Sequence, residues 1–232
     1  MNQDSYQTLP ERLAAVRARI GAAETRFGRT PGSVRLLAVS KKQEAAAIRA
    51  AHDAGQLAFG ENYLQEALAK QADLDDLPLE WHFIGQLQTN KTRPIAEHFA
   101  WVHGLTSAHH AERLSRQRPP DLPPLKVCLE INISGEATKG GVLPDQAVEL
   151  LAACRQLPNL ELVGLMCLPA PAVGEAAQRQ PFRALRELRD RLARPDCPLS
   201  VLSMGMSDDL EAAIAEGATL VRVGTAIFGP RL

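Results

Sequence analysis

Eight short runs of mostly apolar residues recur along the chain, one about every 29 of its 232 residues, and helix-like segments separate them. A parallel βαβ unit needs about 30 residues, and near-continuous apolar runs are typical of parallel strands covered on both faces. Strict alternation of strands and helices predicts an α/β fold, and eight units without a break in the middle favour a closed (β/α)8 TIM barrel. We expect residues 1–232 to form one such domain. The predicted strands are 35–41, 56–62, 79–85, 101–106, 124–133, 159–168, 199–205 and 219–229.

An extra N-terminal helix is predicted before the first strand, over residues 10–27. There Leu13, Val16 and Ile20 fall on one stripe at helical spacing, and Pro10 suits a first helical turn. Further helices are predicted at 144–157, 181–193 and 207–217, with an exposed loop at 170–180.

Composition excludes several classes of function. The formal net charge is −1, so a nonspecific electrostatic grip on nucleic acid is not expected. The N-terminus lacks the apolar core of a signal peptide, and no apolar run approaches the roughly 20 residues that span a bilayer. The four scattered cysteines predict buried free thiols in a reducing cytoplasm, and an aromatic content of 4% favours a monomer. His109 and His110 have no spaced ligand set beside them, so no metal site is predicted.

The working face of such a barrel is the C-terminal rim of its strands, and the first strand ends there on Lys41. A partly buried lysine amine at the barrel mouth can form a Schiff base with an aldehyde. Lys42 is directed to the opposite face by side-chain alternation. The alternative is that Lys41 is an ordinary solvated lysine at a strand end.

The loops after strands seven and eight predict a phosphate site. In barrels of this kind phosphate binds between these two loops, often against a short helix. The loop after strand seven contains glycine and is predicted to open a helix at Ser207, and the loop after strand eight offers Gly224 and Thr225. The alternative is that Ser207 only caps its helix and the glycines only turn the chain.

Arg222 helps to separate the ligands that a lysine and a phosphate site allow, which are pyridoxal phosphate (PLP) and a phosphosugar. It lies inside an apolar strand, where a buried guanidinium needs an acceptor. The pyridine nitrogen of PLP is one such acceptor. An ion pair with a glutamate such as Glu130 is the structural alternative.

Six segments, in this order and spacing, resemble the pyridoxal phosphate homeostasis proteins, from about residue 9 onward. That family is similar to the barrel domain of alanine racemase and lacks its second, β-rich domain. The segments are LLAVSK (36–41), FGENYLQE (59–66), WHFIGQLQTNK (81–91), INISGEATKGG (131–141), LVGLMCLP (162–169) and LSMGMSDDLEAAIAEGATLVRVGTAIFG (202–229).

The resemblance implies roles for particular residues. It implies that Lys41 carries PLP as a Schiff base, that Asn62 lies near the cofactor ring and that Arg222 faces the pyridine nitrogen. It further implies that Ser207, Gly224 and Thr225 hold the phosphate with Ser203 and Met204 alongside, that Met166 lines the pocket, and that Lys139, on a mobile loop, receives cofactor second-hand.

Catalysis is not expected to be the main activity. An arginine cannot give the pyridine nitrogen a proton, and two-base racemisation needs a second acid or base. Barrel racemases take that group, a tyrosine, from their extra domain; few residues follow strand eight here, and Tyr6 and Tyr63 do not fill the role. His82 is either a residual base or a packed core histidine.

The sequence therefore predicts a PLP-binding protein of intracellular PLP homeostasis. It would store, deliver or regulate the cofactor with little or no turnover, and apo PLP-dependent enzymes are its candidate recipients. A PLP-dependent amino acid racemase or lyase is the alternative, and a phosphosugar aldolase is a third interpretation.

Overall fold

The computed structural model describes residues 8–136 and 139–229. Eight parallel strands follow one another around a closed barrel, and β1 completes it by pairing with both β2 and β8. The barrel prediction is thereby confirmed. The strands are β1 (Arg35–Val39), β2 (Ala58–Glu61), β3 (Glu80–Phe83), β4 (Trp101–Leu105), β5 (Leu125–Glu130), β6 (Leu160–Met166), β7 (Val201–Ser203) and β8 (Leu220–Val223).

One helix precedes the barrel, as predicted, and one follows each strand. The helix after β8 has only four residues and begins directly at the strand's end. The helices are α1 (Leu9–Arg26), α2 (Ala45–Asp53), α3 (Leu64–Asp73), α4 (Thr92–His98), α5 (Ala108–Gln117), α6 (Ala147–Cys154), α7 (Glu175–Leu192), α8 (Leu210–Ala215) and α9 (Thr225–Phe228).

Every strand is shorter than the apolar run that predicted it. The clearest case is the run 219–229, of which only Leu220–Val223 is strand, because Thr225–Phe228 turn into α9. Ile227 is fully buried in that helix. An apolar run is buried equally well as strand or as helix, so hydrophobicity alone does not set the boundary.

Three predicted helices begin elsewhere, and α6 and α7 are the first two. The predicted loop 170–180 is wrong in its second half, since α7 starts at Glu175, where that carboxylate pairs with Arg26 and Arg179 at 2.9 and 3.5 Å. Pro181, the predicted start, lies inside α7. The segment 144–157 opens with a 3₁₀ turn, and α6 follows only from Ala147.

Ser207 does not cap α8, contrary to prediction. The helix begins at Leu210, and Asp209 precedes it. The Asp209 Oδ1 accepts a hydrogen bond from the Met206 backbone N–H at 2.6 Å, which folds residues 207–209 into a turn. A carboxylate that bonds back onto its own loop competes with helix formation at this point.

Apolar residues fill two layers. Strand residues that point outward pack against the helices, and α1 adds Leu13, Val16 and Ile20 to this outer core at 0, 2 and 5% exposure. Residues of the alternate parity point inward, including Leu37 of β1 and Leu220 of β8. Burying one such leucine contributes roughly 1.5–3 kcal/mol.

The cysteine prediction is confirmed as to burial, since all four thiols are free and buried. Burial raises the pKa of Cys128 and of Cys167 to about 12, so both remain thiols at neutral pH. Across the described residues, no helix is both long and apolar enough to cross a membrane.

Candidate functional site

A cavity of about 450 Å³ opens at the C-terminal end of the barrel. Its volume lies within the range of roughly 300–1,000 Å³ that is usual for small-molecule sites. The ends of β1, β2, β6 and β8 and the loop after β7 form its wall. Seven of the predicted site residues line it together, namely Lys41, Asn62, Met166, Ser207, Arg222, Gly224 and Thr225.

The other two predicted site residues, Ser203 and Met204, lie behind the wall, with 0% of each exposed. The chain turns immediately after them at Gly205, which has φ +94°. Ser203 contacts the site through Arg222, whose Nη1 donates to the Ser203 Oγ at 2.7 Å. A direct contact of either residue with a cofactor therefore remains a prediction.

A buried cluster holds the backbone around Lys41. The Lys70 Nζ donates to the Ser40 carbonyl oxygen at 2.8 Å and to the Glu61 Oε1 at 2.8 Å. The Ser40 hydroxyl donates to the same Glu61 oxygen at 2.7 Å. Burial raises the pKa of Glu61, although the hydrogen bonds from Lys70 and Ser40 oppose this. Nothing in the residue pattern had pointed to Lys70.

The residue after Lys41 has a strained backbone. Lys42 is exposed and lies in a turn beyond the end of β1, where strand alternation no longer applies, and it adopts φ +61°, which is uncommon for a residue other than glycine. Its N–H donates to the Glu66 Oε1 at 2.5 Å, and Glu66 in turn accepts from Lys70 at 2.5 Å. Strained residues of this kind persist where the surroundings over-determine them, often at functional sites.

Arg222 is buried at 4% exposure and bonds to neutral oxygens. Its Nη1 donates to the Ser203 carbonyl oxygen at 2.5 Å as well as to the hydroxyl, and its Nη2 donates to the Cys167 carbonyl oxygen at 2.9 Å. Within the described chain it forms no ion pair with Glu130, since the oxygens that it contacts belong to Ser203 and Cys167. Burial lowers the pKa of Arg222 and raises that of Glu130.

Backbone groups form the end of the cavity at which the sequence predicts a phosphate. In the described part of the chain the amides of Ser207, Thr225 and Ala226 have no hydrogen-bond partner. Gly224 brings β8 close to β1, and a Cβ there would lie 3.1 Å from the Val39 carbonyl oxygen. Such free amides beside a glycine form a concave anion site.

Arg19 was not predicted and also lines this cavity. Its Nη2 donates to the Ser207 carbonyl oxygen at 2.9 Å, and its guanidinium pairs with Glu211 at 2.8 Å. Arginines on the outer face of α1 look like solvated charges from the helical stripe alone. Only the packing of α1 against α8 and α9 brings one of them to the site.

The remaining candidates lie elsewhere. His82 is fully buried and hydrogen bonded, which confirms the interpretation as a core histidine. Tyr63 and Lys139 line a neighbouring cavity of about 860 Å³, which shares Asn62 with the first. Tyr6 lies outside the described residues.

Comparison with known proteins decides the family. The family "Alanine racemase, N-terminal domain" matches residues 12–231. The "Pyridoxal phosphate homeostasis protein" of Pseudomonas aeruginosa is 59% identical over 224 residues, which cover 97% of this chain and 96% of the relative. Its namesake in Escherichia coli K12 is 51% identical over 94% of this chain and 95% of the relative. The chain belongs to the pyridoxal phosphate homeostasis proteins.

Solved structures agree with this family assignment. PipY of Synechococcus elongatus without PLP has a TM-score of 0.85 at 41% identity, covering 96% of this chain and all of PipY, and PipY with PLP bound has 0.82. An alanine racemase of Clostridium difficile has a TM-score of 0.72 at 13% identity, with 56% of that chain covered, which shows a shared fold alone. The relatives of this homeostasis family are named for homeostasis rather than for a reaction.

Proposed function

We propose that this protein binds pyridoxal phosphate in the cavity at the barrel mouth, as a Schiff base on Lys41. Lys41 would hold the cofactor covalently, because a lysine amine can condense with an aldehyde and release water. The proposed role is PLP homeostasis through storage, delivery or regulation, with little or no turnover.

The residues of the cavity fit this cofactor. Arg222 would donate to the pyridine nitrogen, and the Asn62 Oδ1, buried without a partner among the described residues, is an acceptor for a polar ring substituent. The amides near Ser207 and Thr225 would hold the phosphate. When bound, PLP supplies an electron sink for amino acid chemistry.

One observation carries the proposal. The lysine, the arginine and the phosphate-type loops converge on a single cavity although they lie on strands at opposite ends of the chain. Either interpretation in isolation, a solvated strand-end lysine or a structural arginine, gives no reason for this convergence.

The residues that line the cavity support limited turnover. Among the described lining residues the ionisable groups are Arg19, Lys41, Asp208 and Arg222. A guanidinium carries donors only and no acceptor, and Asp208 belongs to the loop at the end of the cavity that is proposed to hold the phosphate. The described lining of this cavity therefore holds no tyrosine of the kind that barrel racemases use as a second acid or base, and an arginine at the pyridine nitrogen would leave the ring a weaker electron sink.

Borohydride reduction of the PLP-loaded protein, followed by peptide mapping, tests the proposal. We expect a pyridoxyl adduct on Lys41 and none after Lys41→Ala. Lys42→Ala is the matched control, because Lys42 is adjacent but exposed, and it should retain the adduct on Lys41. An adduct that survives Lys41→Ala would contradict the proposal. A protein that stays colourless when PLP is added would also contradict it, and this is the result expected for a phosphosugar aldolase.

The alternative, a racemase or lyase, is separated by an activity assay on amino acids. Turnover at ordinary enzyme rates that disappears in Lys41→Ala would establish the enzyme and remove the carrier function. We further propose a cytoplasmic monomer that passes PLP to apo enzymes. Sedimentation of the loaded protein tests the first part, and activation of a PLP-dependent apo enzyme in the absence of free PLP tests the second.

A further inference from the structure

A line of polar side chains crosses the inside of the barrel beneath the cavity. Glu80 and His82 lie on β3, His103 on β4, Ser203 on β7 and Arg222 on β8. The two histidines and the serine are 0% exposed. Glu80 is the first residue of its strand, so the line ends at the pole of the barrel opposite the cavity.

Each member of this line is within hydrogen-bond distance of the next. The Arg222 Nη1 lies 2.7 Å from the Ser203 Oγ, which lies 2.8 Å from the His103 Nδ1. The His103 Nε2 lies 2.9 Å from the His82 Nδ1. Finally, the His82 Nε2 lies 2.8 Å from the Glu80 Oε1.

The chemistry of these groups sets one direction for all four hydrogen bonds. A carboxylate only accepts, so His82 donates from Nε2, and its neutral ring then accepts at Nδ1. His103 therefore donates from Nε2 to His82 and accepts at its own Nδ1 from the Ser203 hydroxyl. The Ser203 oxygen accepts from Arg222, so every bond points from the guanidinium toward the carboxylate.

The charges of the line agree with this direction. Burial lowers the pKa of His82 and takes that of His103 well below its usual 6.5, so both rings are neutral. The hydrogen bond from His82 holds the pKa of Glu80 at about 2, so Glu80 is a carboxylate. At the same pole Arg35 donates to Glu80 at 2.5 Å.

We propose that this directed hydrogen-bond chain orients Arg222 and stabilises its buried positive charge, which makes Glu80, His82 and His103 positioning residues for the cavity. The bond dipoles all turn their negative ends toward the guanidinium, which lacks a carboxylate partner within the described chain. The inference rests on the proposed function only in taking the partner of Arg222 to be the pyridine nitrogen of PLP.

The first test needs no cofactor. Nitrogen-15 NMR of histidine-labelled, cofactor-free protein at pH 7 reports which ring nitrogen carries the proton. We expect the Nε2–H form for both His82 and His103. A His103 ring with its proton on Nδ1, or a charged ring at either position, would mean that the bonds run the other way, and the proposal would fall.

The second test interrupts the hydrogen-bond chain by substitution in the full-length protein. In His103→Leu, and in the gentler Ser203→Ala, we expect PLP to bind about tenfold more weakly and the visible absorption maximum of the bound cofactor to shift. Phe99→Leu is the control. Phe99 is buried at 2% exposure, close to the 0% of His103 and Ser203, but it is not a member of the hydrogen-bond chain. It should lower the melting temperature and leave the affinity and the spectrum unchanged.

The two failures are distinguishable. Unchanged affinity and spectrum in Ser203→Ala, with wild-type protein that binds PLP normally, would overturn the positioning role and leave the proposed function intact. Wild-type protein that binds no PLP would overturn the proposed function. The histidine tautomers measured in cofactor-free protein would still decide whether the hydrogen-bond chain runs in the proposed direction.

Discussion

At the scale of residues, the site depends on buried polar groups that satisfy one another. Behind Lys41 stand Glu61 and Lys70, and behind Arg222 stand the buried histidines. Desolvating such groups costs free energy that only good geometry offsets. The histidines lie inside the barrel, whereas Glu61 and Lys70 lie between the barrel wall and α3, so buried polar groups on both sides of the wall position the residues of the site.

Lys70→Met should destabilise the protein by about 3 kcal/mol, because it leaves the fully buried Glu61 without its cation. Urea unfolding followed by circular dichroism measures this change. Adding Glu61→Gln to Lys70→Met should recover part of the loss, since the only carboxylate of the cluster that then lacks its lysine is the partly exposed Glu66. Arg49→Met, which breaks an exposed pair with Asp76, should have little effect. A single variant as stable as the wild type would contradict the assigned role of the cluster.

The histidines predict how stability depends on pH. The native pKa values of His82 and His103 lie below the ordinary 6.5, so on acidification the unfolded chain takes up protons before the native protein does. The contribution of the two neutral histidines to the free energy of unfolding is therefore full above pH 6.5. It is lost as the pH falls from 6.5 toward their lower native pKa values. Melting temperatures between pH 8 and 5 should fall more steeply for wild type than for His103→Leu. Parallel curves would show that His103 is not held neutral.

At the scale of elements, the turn after β7 is the most demanding. Gly205 has φ +94°, and a Cβ there would lie 2.6 Å from the Ala213 Cβ of α8. The turn lets α8 pack closely on the barrel and directs Ser207 into the cavity. Since α1 then fixes the same loop through Arg19, two helices from opposite ends of the chain hold the proposed phosphate loop in place.

Gly205→Ala should cost about 2 kcal/mol and also weaken PLP binding, because both the strained backbone and the clash with Ala213 displace the loop. Gly174→Ala is the matched control, with a similar φ of +88° but open space around the missing Cβ. It should be less destabilising and leave PLP affinity unchanged. Equal losses of affinity in the two variants would refute a specific role for the turn.

At the scale of the whole molecule, closure of the barrel joins the first strand to the last. Arg35 to Ala38 of β1 pair with Leu220 to Val223 of β8, and α1 packs on α8 and α9. Strands β1 and β8 each need the other to complete their backbone hydrogen bonds. This mutual dependence supports the prediction that residues 1–232 form one folding unit.

Urea unfolding should therefore give one transition by all probes. Trp81 and Trp101 are buried on β3 and β4, so their fluorescence reports the barrel wall, whereas far-ultraviolet circular dichroism mainly reports the helices. Coincident midpoints are expected for a cooperative unit. A fluorescence midpoint clearly separated from the helical one would show that part of the chain unfolds independently.

Local patterns in the sequence were enough for the barrel, the N-terminal helix and the residues at the strand ends. Lys41, Asn62 and Arg222 share the cavity because parallel strands bring their carboxyl ends to one rim and alternation directs side chains inward. These rules act over a few residues, so they can be read from the sequence. Element boundaries were less certain where apolar runs continue beyond a strand, as at β8.

The tertiary structure alone decided which distant side chains meet. Ser203 contacts His103, a hundred residues earlier, and Arg19 reaches the loop of Ser207, nearly two hundred residues later. Such contacts depend on strand register and on how helices pack, which no short segment encodes. The sequence by itself therefore determined which groups stand at the rim, and only the closed barrel determined the buried hydrogen bonds that hold them there.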